Sequence, residues 1–407
     1  MKFRPLVALA LLIALCGAGR ATPPAPVILI SLDGFRWDYC ALHPDETPNL
    51  RRLAREGVTA RGLIPAFPSN TFPNHYSIAT GLYPSHHGIV NNDMFDAELG
   101  EFFHYKNPAS NHDPRWWGGE PIWITAVKQG RASGCFYWIG SEAEIKGARP
   151  TFWRPYDYAN FPFEKRLDEV SRWLHLPEEK RPAVVALYFE EVNGVGHRSG
   201  PDSPELAAAV KLLDSQVGAL VTRLAREEIP ANFVIVSDHG MTPCDAERSV
   251  IVDDFIDIKT VQVDFEQTAM GLRPVGGNTV EELMAALAKL PAQVKAYRAE
   301  DLPARFQIDP KNSRVPPVWI VPAEGWQVFR RSLFNFMLAK FDRGQHGYDP
   351  ALPAMRGIFI AHGPAFKRGI ELEAFENVQI YNLLCAAAGL NPAPNDGDDR
   401  LVKAALR

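Results

Sequence analysis

Basic charge is scarce in this chain. Its 43 lysines and arginines face 48 aspartates and glutamates over 407 residues, a formal net charge of −5. No basic field follows a nucleic-acid backbone, so a nucleic-acid polymer is disfavoured as a ligand; small phosphate esters stay open, because a local metal pair can hold them. Cysteine is scarcer still, with 5 residues and no Cys-x-x-Cys pair. A cysteine-built zinc site is therefore not indicated, while Cys40, Cys135, Cys244 and Cys385 leave room for one or two disulfides in an oxidising compartment. Long apolar runs are missing too. Residues 6–18 are apolar but too short to span a bilayer. With Lys2 and Arg4 before them and Gly19 and Ala21 after them, residues 1–21 read as a secretory signal peptide. The mature chain, 22–407, is expected to be periplasmic or secreted, without membrane insertion. Internal repeats and low-complexity tracts are absent, which excludes repeat arrays. Oligomeric state is not legible.

What is present is an ordinary globular composition, 46% hydrophobic and 22% charged, long enough for one large domain with insertions. Residues 27–32 (VILISL) form a continuous apolar run ending in Asp33-Gly34. Residues 183–189, 232–237 and 357–361 are similar runs. Continuous rather than alternating hydrophobicity predicts strands buried on both faces. Residues 47–56 and 204–228 have helical periodicity between them. The class is α/β, a mostly parallel central sheet with helices on both faces. Residues 250–335 read as a small α+β insertion, and 97–122 as an aromatic loop over the site.

Ligands of such sheets bind beyond the carboxyl ends of the strands. Asp33, the segment 190–197 and Asp238-His239 all follow predicted strands. With His197 and His346 they form a set of oxygen and imidazole donors in SLDG, GVGH, SDHG and GQHG contexts. Each alone is a turn or a surface histidine; together they suit zinc or another transition metal. The stretch 67–92, FPSNTFPNHYSIATGLYPSHHGIVNN, places Thr71 at or near the start of a helix read as 74–80. Free N–H groups and the helix dipole favour an anion there. A threonine at that point is either a helix cap or a nucleophile, and a nucleophile needs a base or a metal to activate it.

These motifs, with YFEEVNGVGHRSGP, HGYDP and NVQIYNLLCAAAGLNPAPNDG, resemble the nucleotide pyrophosphatase/phosphodiesterase family of the alkaline phosphatase superfamily over residues 27–397. The resemblance implies an alkaline-phosphatase-like fold and two zinc ions. It implies a phospho-threonine intermediate on Thr71. Asp33, Thr71, Asp238 and His239 would surround one zinc. His197 and His346 would hold the other, with an aspartate at position 193. This chain carries Asn193 there, which weakens the expected second site. Asn92 and the backbone N–H of Phe72 would hold a phosphate oxygen. Phe72, Tyr156 or Tyr158, and Tyr188 resemble the family's base-stacking slot.

The leading expectation is an extracytoplasmic zinc phosphodiesterase or pyrophosphatase that releases nucleoside 5′-monophosphates from small nucleotides. A lipid-headgroup phosphodiesterase, such as a choline-releasing one, is the enzyme alternative. A non-catalytic phosphate-ester binder is the third reading, supported by Asn193. The nucleophile stretch lacks the arginine and oxidisable residue of a sulfatase, and no arginine is placed to clamp a monoester dianion. A neutral oxyanion hole suits a singly charged diester. We therefore expect p-nitrophenyl thymidine monophosphate to be hydrolysed faster than p-nitrophenyl phosphate; equal or reversed rates in a chromogenic assay would reveal an unrecognised cationic clamp.

Overall fold

The computed structural model describes residues 24–158 and 160–407. The expected signal peptide, 1–21, lies outside the described residues. The strand Val27–Leu32 runs through the middle of an eight-stranded sheet, and all of its residues are buried. It pairs in parallel with Val184–Phe189 on one side and Asn232–Val236 on the other. From edge to edge the order is Ile370–Leu372, Val58–Ala60, Phe359–His362, Asn232–Val236, Val27–Leu32, Val184–Phe189, Ser133–Phe136 and Phe152–Arg154. Phe359–His362 runs antiparallel to both neighbours. The other pairings are parallel. Continuous apolar runs follow from this position: helices cover both faces, so neither face of a central strand can be polar.

The helix Pro204–Arg226 starts where the Ser203 hydroxyl accepts from the N–H of Leu206. It buries Leu206, Val210, Leu213, Val217, Leu220 and Leu224 at helical spacing. That apolar stripe lies against the core.

Three local readings change. The segment 190–197, expected as a strand end, is mostly a helix, Glu191–Ser199. Asn193 and His197 are thus one helical turn apart on one face. The helix read as 74–80 begins earlier, at Thr71–Thr80, with Asn70 at its N-cap. Residues 97–122 are not an irregular loop: Glu101–His104 forms a hairpin with Asp93–Asp96, and Pro108–His112 is a short helix. Phe103, Trp116 and Trp117 of this segment are buried. Aromatic residues at non-periodic positions hid this packing from the sequence.

A second sheet is built from Val261–Phe265, Met270–Pro274, Val318–Pro322 and Val294–Arg298, all antiparallel. The helix Val280–Leu287, opened by a Thr279–Glu282 capping box, closes a separate core with Met270, Leu272, Leu283, Leu287, Val318 and Ile320. Cys40, Cys135, Cys244 and Cys385 are all free thiols, so the disulfides that composition allowed are not formed. Among the described residues no helix is long and apolar enough to cross a membrane.

One side chain ties the aromatic wall to the rest. The Arg314 guanidinium donates to Asp96 Oδ2 at 2.8 Å and to the carbonyls of Gly88, Trp116 and Arg115 at 2.9, 2.7 and 2.8 Å. Against the effect of burial, these bonds and Ser313 hold the Asp96 carboxyl below its ordinary range. Arg314→Ala takes the charged donor from Asp96 Oδ2 and from three carbonyls, while Asp96 Oδ1 keeps Ser313 and the N–H groups of Glu98 and Leu99; the loss costs about 3 kcal/mol. Denaturant melts should show that loss at neutral pH, and a change below about 1 kcal/mol would contradict it. Because the folded carboxyl is depressed, its contribution is present above its unfolded pKa and fades as pH falls through its folded one.

Candidate active site

Three elements of the large sheet deliver the donors. Asp33 follows the strand Val27–Leu32, Asp238 and His239 follow Asn232–Val236, and the helix Glu191–Ser199 follows Val184–Phe189. Gly34 has φ +70°, and a Cβ there would lie about 3.2 Å from Asn193 Oδ1, so glycine is needed for the chain to turn at Asp33 while the helix packs close. Gly344 does similar work: a Cβ on it would stand 2.4 Å from the carbonyl of Gly196. These elements border a cavity of about 1110 Å³ lined by Asp33, Thr71, Phe72, Asn92, Tyr156, Tyr188, Asn193, His197 and His346 among others.

The ligand atoms of Asp33, Asp238 and His239 all lie within 4.8 Å of one another, and all three residues are buried. Asp33 Oδ1, Asp238 Oδ2 and Asn193 Oδ1 are buried without a hydrogen-bond partner. The histidines are set by the backbone. His239 Nδ1 donates to the carbonyl of Gly240 at 2.8 Å, His197 Nδ1 to that of Gly344 at 2.9 Å, and His346 Nδ1 to that of Ser69 at 3.0 Å. With each Nδ1–H given to a carbonyl, each ring turns its Nε2 toward the cavity. His239 Nε2 stands 3.0 Å from Asp238 Oδ2 and 3.5 Å from Asp33 Oδ1. His197 Nε2 and His346 Nε2 are 3.2 Å apart. Burial pushes His197 down to about 4 and His346 well below its usual range, so neither takes a second proton at neutral pH. Two carboxylates and three imidazole Nε2 atoms thus converge on one space. That arrangement fits cations, and the mixed oxygen and imidazole donors fit zinc.

The two carboxylates differ. Burial, then the neighbouring Asp238 charge, raises the Asp33 carboxyl well above the usual range. Burial acts the same way on Asp238, but His239 and His75 outweigh it and hold Asp238 low. His75 was not singled out from sequence. Its Nδ1 lies 2.9 Å from the carbonyl of Thr71 and 3.2 Å from Asp238 Oδ2. Its Nε2 meets Ser31 Oγ at 2.8 Å. Burial opposes its charge, yet Asp238 raises its pKa overall. The only sequence signal was a histidine in the first turn after Pro73.

Thr71 Oγ1 lies 3.3 Å from His239 Nε2. The hydroxyl makes no capping bond; Asn70 occupies the N-cap. Phe72 N–H donates to Asn92 Oδ1 at 2.9 Å, so these two expected oxyanion donors are bonded to each other rather than both open. Asn92 is held in turn by Asn91, whose Oδ1 accepts its N–H at 2.7 Å. The Phe72 ring rests on Phe103, Tyr105 and Trp117 at centroid distances of 6.0, 5.6 and 6.4 Å. Tyr156 is half exposed at the cavity edge, its hydroxyl on Glu190, while Tyr158 gives its hydroxyl to Glu191. Tyr188 lines the cavity but also has a second partner. It is buried, and its hydroxyl donates to Asp33 Oδ2 at 2.6 Å, which spends it on holding a donor.

With that geometry in view, similarity to known proteins is informative. The family described as type I phosphodiesterase/nucleotide pyrophosphatase matches residues 27–349. The chain belongs to this family. A venom phosphodiesterase of Macrovipera lebetinus is 37% identical over 386 residues, 92% of this chain and 44% of the relative. An uncharacterised pyrophosphatase/phosphodiesterase of Schizosaccharomyces pombe is 38% identical over 383 residues, 91% of this chain and 78% of that protein. The chain thus spans under half the length of the venom relative. Murine ectonucleotide pyrophosphatase/phosphodiesterase 5 superposes with a TM-score of 0.87 at 34% identity, covering 94% of this chain and all of the other. A threonine-to-alanine variant of that murine protein, described as inactive, has been solved with AMP. The fold is the alkaline-phosphatase-like fold of these neighbours.

Tyr188→Phe separates the two roles open to that ring. A stacking face survives the change; a hydroxyl clamp on Asp33 does not. Loss of an outer partner of this kind costs on the order of 10–100-fold. We expect kcat on a thymidine diester to fall by that amount with KM little changed. Unchanged kcat would return Tyr188 to the slot.

Proposed function

We propose that this chain is an extracytoplasmic zinc-dependent phosphodiesterase/pyrophosphatase that releases nucleoside 5′-monophosphates through a phospho-threonine intermediate. The observation that carries the reading is the position of the Thr71 hydroxyl, 3.3 Å from a histidine lone pair and beside two buried carboxylates with unpartnered oxygens. Asp33, Asp238 and His239 would hold one zinc beside Thr71, and Asn193, His197 and His346 the second. Bound there, the cations supply positive charge that favours the threonine alkoxide and offsets charge growing on the leaving oxygen.

The chain's own residues do the rest. Thr71 Oγ1 gives up its proton to solvent and attacks phosphorus; a bond to Oγ1 forms as the bond to the leaving oxygen breaks, and that oxygen takes up a proton from solvent. Water then attacks the same phosphorus, the bond to Oγ1 breaks, a proton released by that water restores the Thr71 hydroxyl, and the monophosphate departs. Asn92 orients the first turn of the Thr71–Thr80 helix through its bond to Phe72 N–H. Phe72 and Tyr156 offer aromatic faces to a base, and stacking tolerates any base. The inactive alanine variant of the murine relative, solved with AMP, supports both the threonine role and a nucleotide product.

One observation favours a second reading. Glu190 and Glu191 stand at the cavity beside Tyr156 and Tyr158, and acid plus aromatic groups suit a quaternary amine. Turnover of p-nitrophenyl phosphorylcholine above that of the thymidine diester would favour a lipid-headgroup enzyme.

Thr71→Ala should abolish diesterase turnover while the melting temperature and bound zinc stay close to the parent's. Thr71→Ser should keep partial activity, because the hydroxyl survives. Full turnover in the alanine variant would rule out the covalent route.

A further inference from the structure

The donors around Thr71 form two sets of unlike charge. Asp33, Asp238 and His239 bring two carboxylates to one point. Asn193, His197 and His346 bring none. Asn193 Oδ1 is buried without a partner, one helical turn before His197. His197 and His346 face each other lone pair to lone pair, with both Nδ1–H groups committed to carbonyls. The second set is therefore shaped for a cation yet electrically neutral.

Two carboxylates precede Asn193 on the same segment and line the same cavity. Each accepts from a hydroxyl at one oxygen, Glu190 from Tyr156 and Glu191 from Tyr158; Glu191 Oε2 is buried without a partner, but two residues before Asn193 it lies off the helix face that Asn193 shares with His197. Asp342 stands 3.8 Å from His197 Nδ1, on the far side of the ring from the Nε2 lone pair. It can strengthen His197 as a donor from behind but cannot join the set.

Building on the zinc reading above, we propose that the two sites differ steeply in affinity: the Asp33–Asp238–His239 site holds zinc tightly, and the Asn193–His197–His346 site fills only at higher free zinc. Outer-shell changes alone alter metal affinity on the order of 10–100-fold. A missing unit charge among the ligands themselves should separate the two sites by at least about 100-fold.

The test counts zinc rather than turnover. The full chain is equilibrated in a series of zinc–chelator buffers, and zinc per chain is measured by mass spectrometry of the metal. The parent should release its two zinc ions in two steps at least 100-fold apart in free zinc. Asn193→Asp should move the weaker step toward the tighter one. His346→Ala should remove the weaker step and leave the tight one, which keeps the test decisive if the aspartate variant fails to fold. A single two-zinc step in the parent, or an aspartate variant with both steps unmoved, overturns the proposal. Hydrolysis of the thymidine diester is followed in the same buffers. Turnover with both zinc ions released together sinks this inference alone, while unequal binding with no turnover at saturating zinc sinks the phosphodiesterase reading alone.

Discussion

Two buried carboxylates with too little positive charge beside them set the terms for this structure. Asp33 and Asp238 sit at the ends of adjacent strands, and like charges this close and this dry cannot both ionise freely. His75, on the helix that carries Thr71, answers part of the problem by leaning on Asp238. Tyr188 answers another part through its bond to Asp33. The remaining oxygens face a gap shared with three histidine lone pairs. Nearly everything around the site fixes those acceptors in place: the glycine at 34, the close approach of Gly344 to Gly196, and the backbone carbonyls that choose one tautomer for each ring. A site built this way favours bound cations, and with them the polarisation of a hydroxyl lying at their edge.

The strands were readable because a central strand has no polar face, and their ends were readable because chemistry gathers where such strands stop. Asp33, Asp238, His239, His197 and His346 stood out by residue type beside glycine. Thr71 was ambiguous between cap and nucleophile, and Asn92 and Asn193 entered only through resemblance to a family. The tautomers were not readable at all. They depend on the carbonyls of Ser69, Gly240 and Gly344, and a carbonyl carries no residue identity. The Tyr188 bond to Asp33 was unreadable for a related reason: the same ring can serve a stacking slot or, through its hydroxyl, a buried carboxylate, and sequence carries no sign of the partner. The helix at 191–199 was hidden by two glycines and an asparagine, poor helix formers that packing against the long neighbouring helix overrides.

The aromatic segment before residue 122 links fold to function in another way. Phe72 follows Thr71 directly, and its ring is backed by Phe103, Tyr105 and Trp117. The segment is anchored by Arg314 from a distant part of the chain. Under the proposed function, a base slot assembled from such remote pieces would keep its shape only while the whole domain is folded, which would couple stability to substrate binding. Under the zinc reading, the negative net charge would not oppose phosphate esters, because the field that matters would be local to the metal donors.

The central claim is that the cluster around Thr71 is built to surround cations. Thermal unfolding of the metal-free chain, with and without added zinc, tests it most directly. A cation that binds only the folded state raises stability by RT ln(1 + [L]/Kd), about 2.7 kcal/mol at a hundredfold excess over Kd. The account predicts a marked rise in melting temperature with zinc that is lost in Asp33→Asn and Asp238→Asn. An unchanged melting temperature, or a rise that survives both substitutions, would contradict it.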